Sequence, residues 1–345
     1  MKKFRKIIKI TGYFLVITIL IIGFKIFIPR NYEISQPEIR TGTLFWNLST
    51  GSKIAYTFLQ GKGEIKKYPI IFLQGGPGGR ISNRNIQMLL PLAENGYDVY
   101  LYDQVGCGLS NRLDNVREYT TERHTIDLNE FILKTGATKV ILIGQSWGAM
   151  LATMYLAEHP ERVEKIILTG PGPILPIHEE LASIPSPDTL NFKKPASTNA
   201  AANREAQNFR TKAMAFFARE FGIKLADDKE ADEFQTYLSN KTNKSTVCDI
   251  NKVLESKPGD GFYCQVMTVA SFSEAGDVRM KLSKIKTPLL ILKGQCDNQS
   301  WGYTAEYLEL FQNHQLVVIP DAGHSISIEQ PELYLQSVLD FLNKQ

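Results

Sequence analysis

The sequence predicts an α/β protein with a mostly parallel central sheet, helices on both faces of that sheet and an inserted helical cap. Short apolar runs alternate with helix-like stretches in the first half of the chain and again near its end. These runs lack the polar alternation of a half-exposed strand, which is typical of parallel strands buried on both faces. The alternation stops between about residues 171 and 278, where the chain becomes polar and helix-rich. This middle segment is therefore predicted to be an insertion.

The first part of the predicted sheet begins with a hairpin. Two alternating stretches, residues 43–47 and 53–60, flank the turn sequence Ser49-Thr50-Gly51-Ser52, a pattern that favours an antiparallel pair. Four buried strands are predicted after it, at residues 68–73, 97–102, 139–143 and 163–168, with helices at residues 83–94, 121–135 and 147–158.

The insertion and the end of the chain complete the predicted architecture. The best helices of the insertion are residues 203–221 and 229–239, and the later elements are strands at 288–292 and 315–319 with helices at 303–313 and 331–342. The predicted parts are thus a terminal segment (1–30), the first part of the core (31–170), the cap (171–278) and the second part of the core (279–345).

The terminal segment predicts a membrane anchor. Residues 11–29 form an almost unbroken apolar run of about the length that a bilayer core requires. Five of the seven positive charges that come before Glu33 precede this run, which places the rest of the chain on the extracytoplasmic side. The alternatives are a cleaved signal segment, which would leave a secreted or periplasmic protein, and a buried core helix. No small-x-small site follows the run, so an uncleaved anchor is favoured.

Charge and cysteine content narrow the function classes. The formal net charge is +3, and the seven early cations leave −4 for the rest of the chain, so no nucleic-acid partner is expected. Four cysteines fit an exported protein. Cys248 and Cys264 are the expected pair, and Cys107 and Cys296 are interpreted as buried hydrophobes or redox groups. No zinc-site spacing is present, no cofactor is implied, and the oligomeric state stays open.

Ser146 is the predicted nucleophile. It is the centre of Gly144-Gln145-Ser146-Trp147-Gly148, a G-x-S-x-G motif that follows an apolar strand and opens a helix. Glycines on either side of the serine allow the sharp strand-to-helix turn that projects Oγ above the sheet, and the helix dipole favours negative charge there. A simple tight turn is the alternative interpretation.

An alcohol needs a base, and the base needs an orienting acid. Of the five histidines, His324 directly follows a predicted strand and therefore lies at the same sheet edge as Ser146. Asp297 follows the preceding strand in the same way, which gives the chain order Ser, Asp, His that this arrangement requires. Asp321 is the fallback acid, and an ordinary turn aspartate is the alternative interpretation of Asp297.

A glycine-rich loop, Gln74-Gly75-Gly76-Pro77-Gly78-Gly79, follows the strand at residues 68–73. Backbone N–H groups in such a loop can stabilise an oxyanion, and we predict that Gly76 and Trp147 supply them. Gln74 and Gly75 are predicted to contact the substrate. A phosphate-binding loop is the rival interpretation, but Lys and Ser or Thr are absent at the required spacing.

Four motifs together resemble the proline iminopeptidase family of α/β-hydrolases, whose patterns are HGGPG, DQRGCGRS, GGSWG and GH. They are QGGPG at residues 74–78, DQVGCGLS at 103–110, GQSWG at 144–148 and GH at 323–324. The resemblance extends over about residues 43–341. It implies the α/β-hydrolase fold and a metal-independent serine peptidase that removes an N-terminal residue, classically proline, from a short peptide. The resemblance also implies acidic cap residues that grip the free amine.

The sequence departs from the family at Gln74, where the family has histidine, and at Val105, where it has arginine. The family's acidic cap stretch ending in His-Tyr-Phe is also missing. The candidate amine-binding acids are Glu179, Glu180, Glu205, Glu220 and Glu274. Two other functions stay open: an esterase or other small-molecule hydrolase with the same triad, and a non-catalytic binding protein. The intact Ser146, Asp297 and His324 disfavour the latter.

Overall fold

The computed structural model describes residues 2–36 and 38–344. The ends of the terminal segment and of the second core part, Met1 and Gln345, lie outside the described residues, as does Pro37. One eight-stranded sheet has the order β1-β2-β4-β3-β5-β6-β7-β8. The strands are β1 (Leu44–Asn47), β2 (Lys53–Leu59), β3 (Ile70–Leu73), β4 (Val99–Tyr102), β5 (Val140–Gln145), β6 (Val163–Thr169), β7 (Leu289–Gly294) and β8 (His314–Ile319).

The predicted mostly parallel sheet is confirmed. β2 runs antiparallel to both of its neighbours, β1 and β4, and the other neighbouring strands are parallel to each other. The helices are α1 (Lys2–Phe27), α2 (Asn83–Glu94), α3 (Thr121–Lys134), α4 (Trp147–Glu158), α5 (Asn199–Ala206), α6 (Phe209–Phe221), α7 (Asp228–Thr242), α8 (Phe262–Ala270), α9 (Arg279–Leu282), α10 (Trp301–Leu310), α11 (Ile326–Glu329) and α12 (Pro331–Asn343).

Helices cover both faces of the sheet, as the apolar strands predict. All four side chains of β3 are buried. Ile71 and Leu73 belong to a core cluster that includes α3 and α4, whereas Ile70 and Phe72 belong to a second cluster with α2 and α12. Alternate side chains of one strand therefore enter opposite core layers, which explains why the strand is apolar at every position.

The predicted helix at residues 203–221 is two helices. α5 ends at Ala206 and α6 begins at Phe209. The side chain of Asn208 accepts hydrogen bonds from the backbone N–H groups of Arg210 and Thr211, and Thr211 completes a reciprocal capping box. This capping starts a second helix, so the single helix that the apolar spacing had suggested is divided into two.

The insertion between β6 and β7 contains α5 to α9. Its apolar side chains, among them Met214, Ala218, Phe234 and Phe262, join the core cluster that covers α3 and α4. The insertion, which we call the cap, is therefore packed onto the core rather than tethered to it. Its position brings α5, α7 and α8 over the carboxyl edge of the parallel strands.

α1 is long and apolar enough to cross a membrane over Lys6–Phe27. Within the part of the chain that the structure describes, it is the one helix with this property. A signal sequence near a chain's N-terminus has the same length and composition. The helix thus fits both of the sequence-based alternatives that place the remaining residues outside the cytoplasm.

Candidate active site

Ser146 lies at the turn between β5 and α4. Its backbone has φ 54° and ψ −116°, a conformation that L-residues rarely adopt and that the surroundings must enforce. A Cβ on Gly144 would overlap the carbonyl oxygen of Gly148, and a Cβ on Gly148 would overlap that of Leu73. The chain passes so closely that both flanking positions require glycine, which is the physical basis of the G-x-S-x-G pattern.

His324 and Asp297 form a direct pair. Nδ1 of His324 lies 2.9 Å from Oδ1 of Asp297, and the aspartate side chain is fully buried. The imidazole packs closely over Gly170, where a Cβ would lie 2.7 Å from Nδ1. His324 and Ser146 line the same cleft. The structure therefore brings the three residues predicted from chain order to one place.

Asp297 is an ionised carboxylate in this environment. Burial alone would raise its pKa, but the ammonium of Lys293 and the imidazole of His324 outweigh burial and hold the pKa of Asp297 well below its usual range. The backbone N–H of Gln299 also donates to Oδ1, at 3.0 Å. An ionised Asp297 can only accept, so Nδ1 of His324 carries the proton that they share, and Nε2 is left free to act as a base.

The alternative candidates lie elsewhere. Asp321, the fallback acid, is exposed and pairs with Lys193 at 2.9 Å. His124 is buried, bonds to Thr268 at 3.0 Å, and has its pKa lowered to about 3 by burial. Neither side chain lines the cleft that contains Ser146.

The glycine-rich loop runs directly beside the serine. A Cβ on Gly75 would lie 3.1 Å from Cβ of Ser146, so a larger residue there would have to displace the serine turn slightly. Gly76 follows with φ 123°, a backbone conformation suited to glycine. Gln74, Gly75 and Gly76 line the cleft, and Oε1 of Gln74 is a buried acceptor with no hydrogen-bond partner among the described residues.

Gln104 joins this loop to the turn that holds Ser146. Its Oε1 accepts from Nε1 of Trp147 at 2.8 Å, and its Nε2 donates to the backbone oxygen of Gln74 at 3.0 Å. Gln104 is almost completely buried. One amide side chain therefore fixes the spacing between the two segments that carry the predicted oxyanion donors. In the sequence, the DQVGCGLS motif indicates a family resemblance but no role for Gln104.

Asp103 organises the same motif. It is buried and accepts from the guanidinium of Arg40 at 2.7 and 3.0 Å. It also accepts from the backbone N–H groups of Ile81 at 2.7 Å and Leu109 at 2.9 Å. Asp103 thus accepts four charge-assisted hydrogen bonds, and the bond from Leu109 ties the start of the motif to its end. These bonds explain why position 103 is an aspartate.

A cleft of about 830 Å³ separates the sheet edge from the cap. Amide and hydroxyl side chains from α2, α5, α7 and α8 make up much of its lining. Its charged lining residues are Glu38, Arg80, Arg84, Glu255, Lys257 and Asp260. The three acidic side chains are thus matched in number by three basic ones.

The predicted cap acids are wrong in position. Glu179, Glu205 and Glu274 are exposed to solvent and do not line the cleft, and the same holds for Glu180 and Glu220. Glu205, for example, lies on the outer face of α5 and pairs with Lys241 at 2.6 Å. On a polar cap, acidic residues at helical spacing mark the solvated face, and spacing alone does not separate that face from the one over the site.

Asp260 is a partly buried acid of the cleft lining that the sequence did not indicate. It accepts from Oγ of Ser239 at 2.8 Å and lies beside the backbone N–H of Arg80. Burial raises the pKa of Asp260, although Ser239 and Arg80 counteract part of the rise. The residue precedes α8 in a stretch without helical or strand period, so only an isolated Asp-Gly turn signal was present in the sequence.

The expected cysteine pair is also wrong. Cys248 forms a disulfide with Cys296, with Cα atoms 5.3 Å apart. Cys264 is instead buried in α8, with Sγ 3.7 Å from Nε2 of His124. Cys296 follows β7 and directly precedes Asp297, so the disulfide joins the cap to the loop of the candidate acid.

Glu329 strengthens this connection between the cap and the core. Its carboxylate accepts from the backbone N–H of Gly323 at 2.6 Å, and from those of Cys248 at 3.0 Å and Asp249 at 2.9 Å. Glu329 is buried. Gly323, next to His324, and Cys248, which forms the disulfide, therefore donate to the same buried carboxylate.

Comparisons with known proteins agree with this architecture. The family model described as alpha/beta hydrolase fold matches residues 68–331. A proline iminopeptidase from Heyndrickxia coagulans is 27% identical over 85% of this chain and 96% of its own length, which confirms the resemblance to that family. A 2-hydroxy-6-oxo-6-(2'-aminophenyl)hexa-2,4-dienoic acid hydrolase from Metapseudomonas resinovorans is also 27% identical, over 83% of this chain and 86% of its own.

Among solved structures, an esterase from Exiguobacterium antarcticum superposes with a TM-score of 0.59. The match covers 87% of this chain and 99% of the esterase at 20% sequence identity. Likeness at this identity concerns the fold alone.

Proposed function

Because the chain belongs to the alpha/beta hydrolase family, we propose that it is a serine hydrolase that removes N-terminal proline or another small residue from short peptides. The observation that carries the proposal is the His324–Asp297 pair in the same cleft as a serine held at a strained strand-to-helix turn. The likeness to proline iminopeptidases supports the choice of substrate class.

In the proposed acylation, Nε2 of His324 accepts the proton of Ser146 Oγ while the oxygen attacks the carbonyl carbon of the substrate. Asp297 stabilises the imidazolium that forms and keeps its ring oriented through the 2.9 Å bond to Nδ1. The imidazolium then protonates the leaving amine. Water, deprotonated by the same imidazole, releases the N-terminal residue from the acyl-enzyme.

The developing oxyanion is proposed to bind the backbone N–H groups of Gly76 and Trp147. Trp147 is the first residue of α4, where helical N–H groups have no partner within the helix. Gln104 holds this residue and Gln74 at fixed spacing, so the two donors need little reorganisation during the reaction.

A free amine on the substrate requires an acceptor or an anion within the cleft. Asp260 replaces the predicted cap acids as the proposed partner, because it lines the cleft, is partly buried and belongs to the segment leading into α8. Oε1 of Gln74 supplies a further acceptor without a partner among the described residues. An ammonium group bound by these two side chains would compensate for the burial of the carboxylate.

An esterase or other small-molecule hydrolase is the second candidate. The observation that favours it is the balance of charge in the cleft, where Arg80, Arg84 and Lys257 offset the three acids. Such a cleft does not attract a cationic substrate over long distances. The same triad chemistry would then cleave a neutral ester.

Four substrates separate these candidates when assayed with the full chain in mild detergent. They are a proline arylamide, an alanine arylamide, an N-acetylated proline arylamide and a short acyl ester, each with Ser146→Ala as the control. Cleavage of the free-amine arylamides without cleavage of the acetylated analogue supports the peptidase. Turnover of the ester alone contradicts it and supports the second candidate, and activity that survives in Ser146→Ala contradicts both.

The proposed location is the extracytoplasmic side of a membrane, with α1 as the anchor. The length and apolar character of α1 support the anchor, and the disulfide between Cys248 and Cys296 supports an oxidising compartment. Cleavage of α1 as a signal segment is the alternative. Fractionation of cells that express the chain, followed by mass measurement of the mature protein, distinguishes a retained anchor from a secreted or periplasmic product.

A further inference from the structure

The cap helix α6 has an exposed aromatic face. Phe209, Phe216 and Phe221 are 56%, 48% and 54% exposed, and Ile223, just beyond the helix, is 52% exposed. The ring of Phe217 lies 5.8 Å from that of Phe216 and 5.6 Å from that of Phe221. We call these five residues the aromatic face.

Packing within the cap does not account for the aromatic face. The side of α6 that faces the core carries Met214 and Ala218, both buried. Phe209 and Phe216 are seven residues apart and share a different side of the helix, whereas Phe221, seven residues after Met214, is exposed at the end of the helix. The rings of Phe216, Phe217 and Phe221 contact one another, and exposed apolar patches of this kind mark contacts with a partner or a membrane.

The helix that carries the aromatic face, α6, packs against α1. Thr18, Ile22 and Ile26 are four residues apart along α1 and are half-buried, whereas most of the helix is exposed. α1 makes extensive contacts with α6. The side of α1 that is covered by protein is therefore the side that faces the cap.

A buried ion pair fixes this arrangement. Nη1 of Arg210, at the start of α6, donates to the backbone oxygen of Ile26 at 2.7 Å. The carboxylate of Glu230 in α7 pairs with the guanidinium of Arg210 and accepts from the backbone N–H of Arg30 at 2.9 Å. The end of α1 is thus held to two cap helices by charge-assisted bonds.

These contacts place α6 at the level of the outer part of the anchor. Thr18 and Ile26 are eight residues apart, about 12 Å along a helix axis. The hydrocarbon core of a bilayer is about 30 Å thick. If α1 crosses it over Lys6–Phe27, a helix packed along its last 12 Å lies in the outer leaflet and its headgroup region.

We propose that the aromatic face of α6 inserts into the outer surface of a phospholipid bilayer beside α1, as a second membrane contact of the cap. The exposed cations Lys212 and Arg219 lie next to this face, where they can meet lipid phosphates. The packing of α6 against α1, whose exposed side is apolar, favours lipid over a second copy of the chain. The inference rests on the proposed anchoring by α1, and it means that the membrane restrains the cap that covers the cleft.

Spin labels on the full chain, reconstituted in vesicles of phosphatidylcholine and phosphatidylglycerol, test the proposal. A nitroxide is attached to Phe216→Cys or, separately, to Phe221→Cys. Phe14→Cys in the exposed part of α1 is the lipid reference, and Leu333→Cys on the exposed side of α12 is the aqueous control. Wild-type protein treated with the same reagent measures background from the native cysteines. Reaction with a fluorophosphonate checks that each labelled variant is folded.

The readout is relaxation of the nitroxide by oxygen, which concentrates in lipid, compared with a water-soluble nickel chelate. We expect labels at positions 216 and 221 to respond to oxygen several-fold more than to the chelate, as at position 14. A response like that at position 333 overturns the cap contact while α1 stands as an anchor. Shielding from both reagents also overturns it, in favour of a protein partner. Chelate accessibility at position 14 overturns the anchor itself.

Discussion

Nζ of Lys293 lies 3.2 Å from Oδ2 of Asp297, so the candidate acid contacts a lysine ammonium as well as the imidazole of His324. Both side chains are almost completely buried. Lys293 also donates to the backbone oxygen of Gln299 at 3.0 Å, which fixes its ammonium group in place. The negative charge of Asp297 is therefore shared between the imidazole and a permanent cation. In the proposed mechanism, Lys293 limits how strongly the aspartate stabilises the imidazolium form of His324.

Replacement of Lys293 by methionine is expected to move the acid limb of the kcat/KM profile to higher pH. Loss of the Lys293 ammonium removes the charge that competes with the imidazole for the Asp297 carboxylate, so activity is lost at a higher pH than in the wild type. In the wild type the pKa of Asp297 is held well below its usual value, and Lys293 is the first of the groups that lower it. We expect a shift of roughly one pH unit, which corresponds to about 1.4 kcal/mol.

Lys293→Arg is the matched control, because it keeps the positive charge and should leave the limb near its wild-type position. Thermal unfolding of both variants separates a change in the site from a loss of the fold, since a buried carboxylate that loses its lysine partner is destabilising. An unchanged acid limb in a folded Lys293→Met protein contradicts the role given to Lys293.

Gln104→Leu is expected to lower kcat by about 10- to 100-fold with little change in KM. Both hydrogen bonds that fix the predicted oxyanion segments are lost, and these donors act on charge that develops only in the transition state. Steady-state kinetics with the best substrate measures the effect. Trp147→Phe removes only the indole partner of Gln104 and should therefore cost less. A rise in KM at constant kcat would instead mean that Gln104 shapes substrate binding.

The core and the candidate triad were predictable because each depends on local pattern. The helices at residues 83–94 and 147–158 were predicted with the observed bounds, since an amphipathic or fully buried run between turn signals defines such elements. Ser146, Asp297 and His324 each follow a parallel strand, and parallel strands bring their carboxyl ends to one edge. Order along the chain therefore predicted proximity in space.

The cap was less predictable because its features depend on tertiary contacts. Cys248 and Cys296 are 48 residues apart, in different parts of the fold, and no spacing rule selects this pair over Cys248 and Cys264. Asp260 lies between helices, where its burial depends on Arg80 and Ser239 from distant segments. Neither relationship leaves a periodic signal in the sequence.

The disulfide predicts a specific loss of stability. Cys248→Ser combined with Cys296→Ser should lower the free energy of unfolding by roughly 2 to 4 kcal/mol. Without the disulfide, the unfolded chain has more conformational entropy, and a loop of this length accounts for a loss of that size. Denaturant unfolding of the oxidised protein measures the loss, with Cys107→Ser as the control for a buried thiol that forms no bridge. Mass spectrometry of a non-reduced digest should link the peptide of Cys248 to that of Cys296. A link to Cys264 contradicts the structure.

Asp260→Asn is expected to raise KM for free-amine arylamides by about 10- to 100-fold, because a hydrogen bond between charged groups contributes about 1.5 to 3 kcal/mol. The variant keeps the size of the side chain and its bond to Ser239, so turnover of a short acyl ester should stay near the wild-type rate. Glu205→Gln, an exposed cap acid outside the cleft, is the matched control and should leave both activities unchanged. Equal losses on both substrates would show that Asp260 supports the cap structurally. A selective loss on the arylamides would separate recognition of the amine from the triad chemistry that both substrates share.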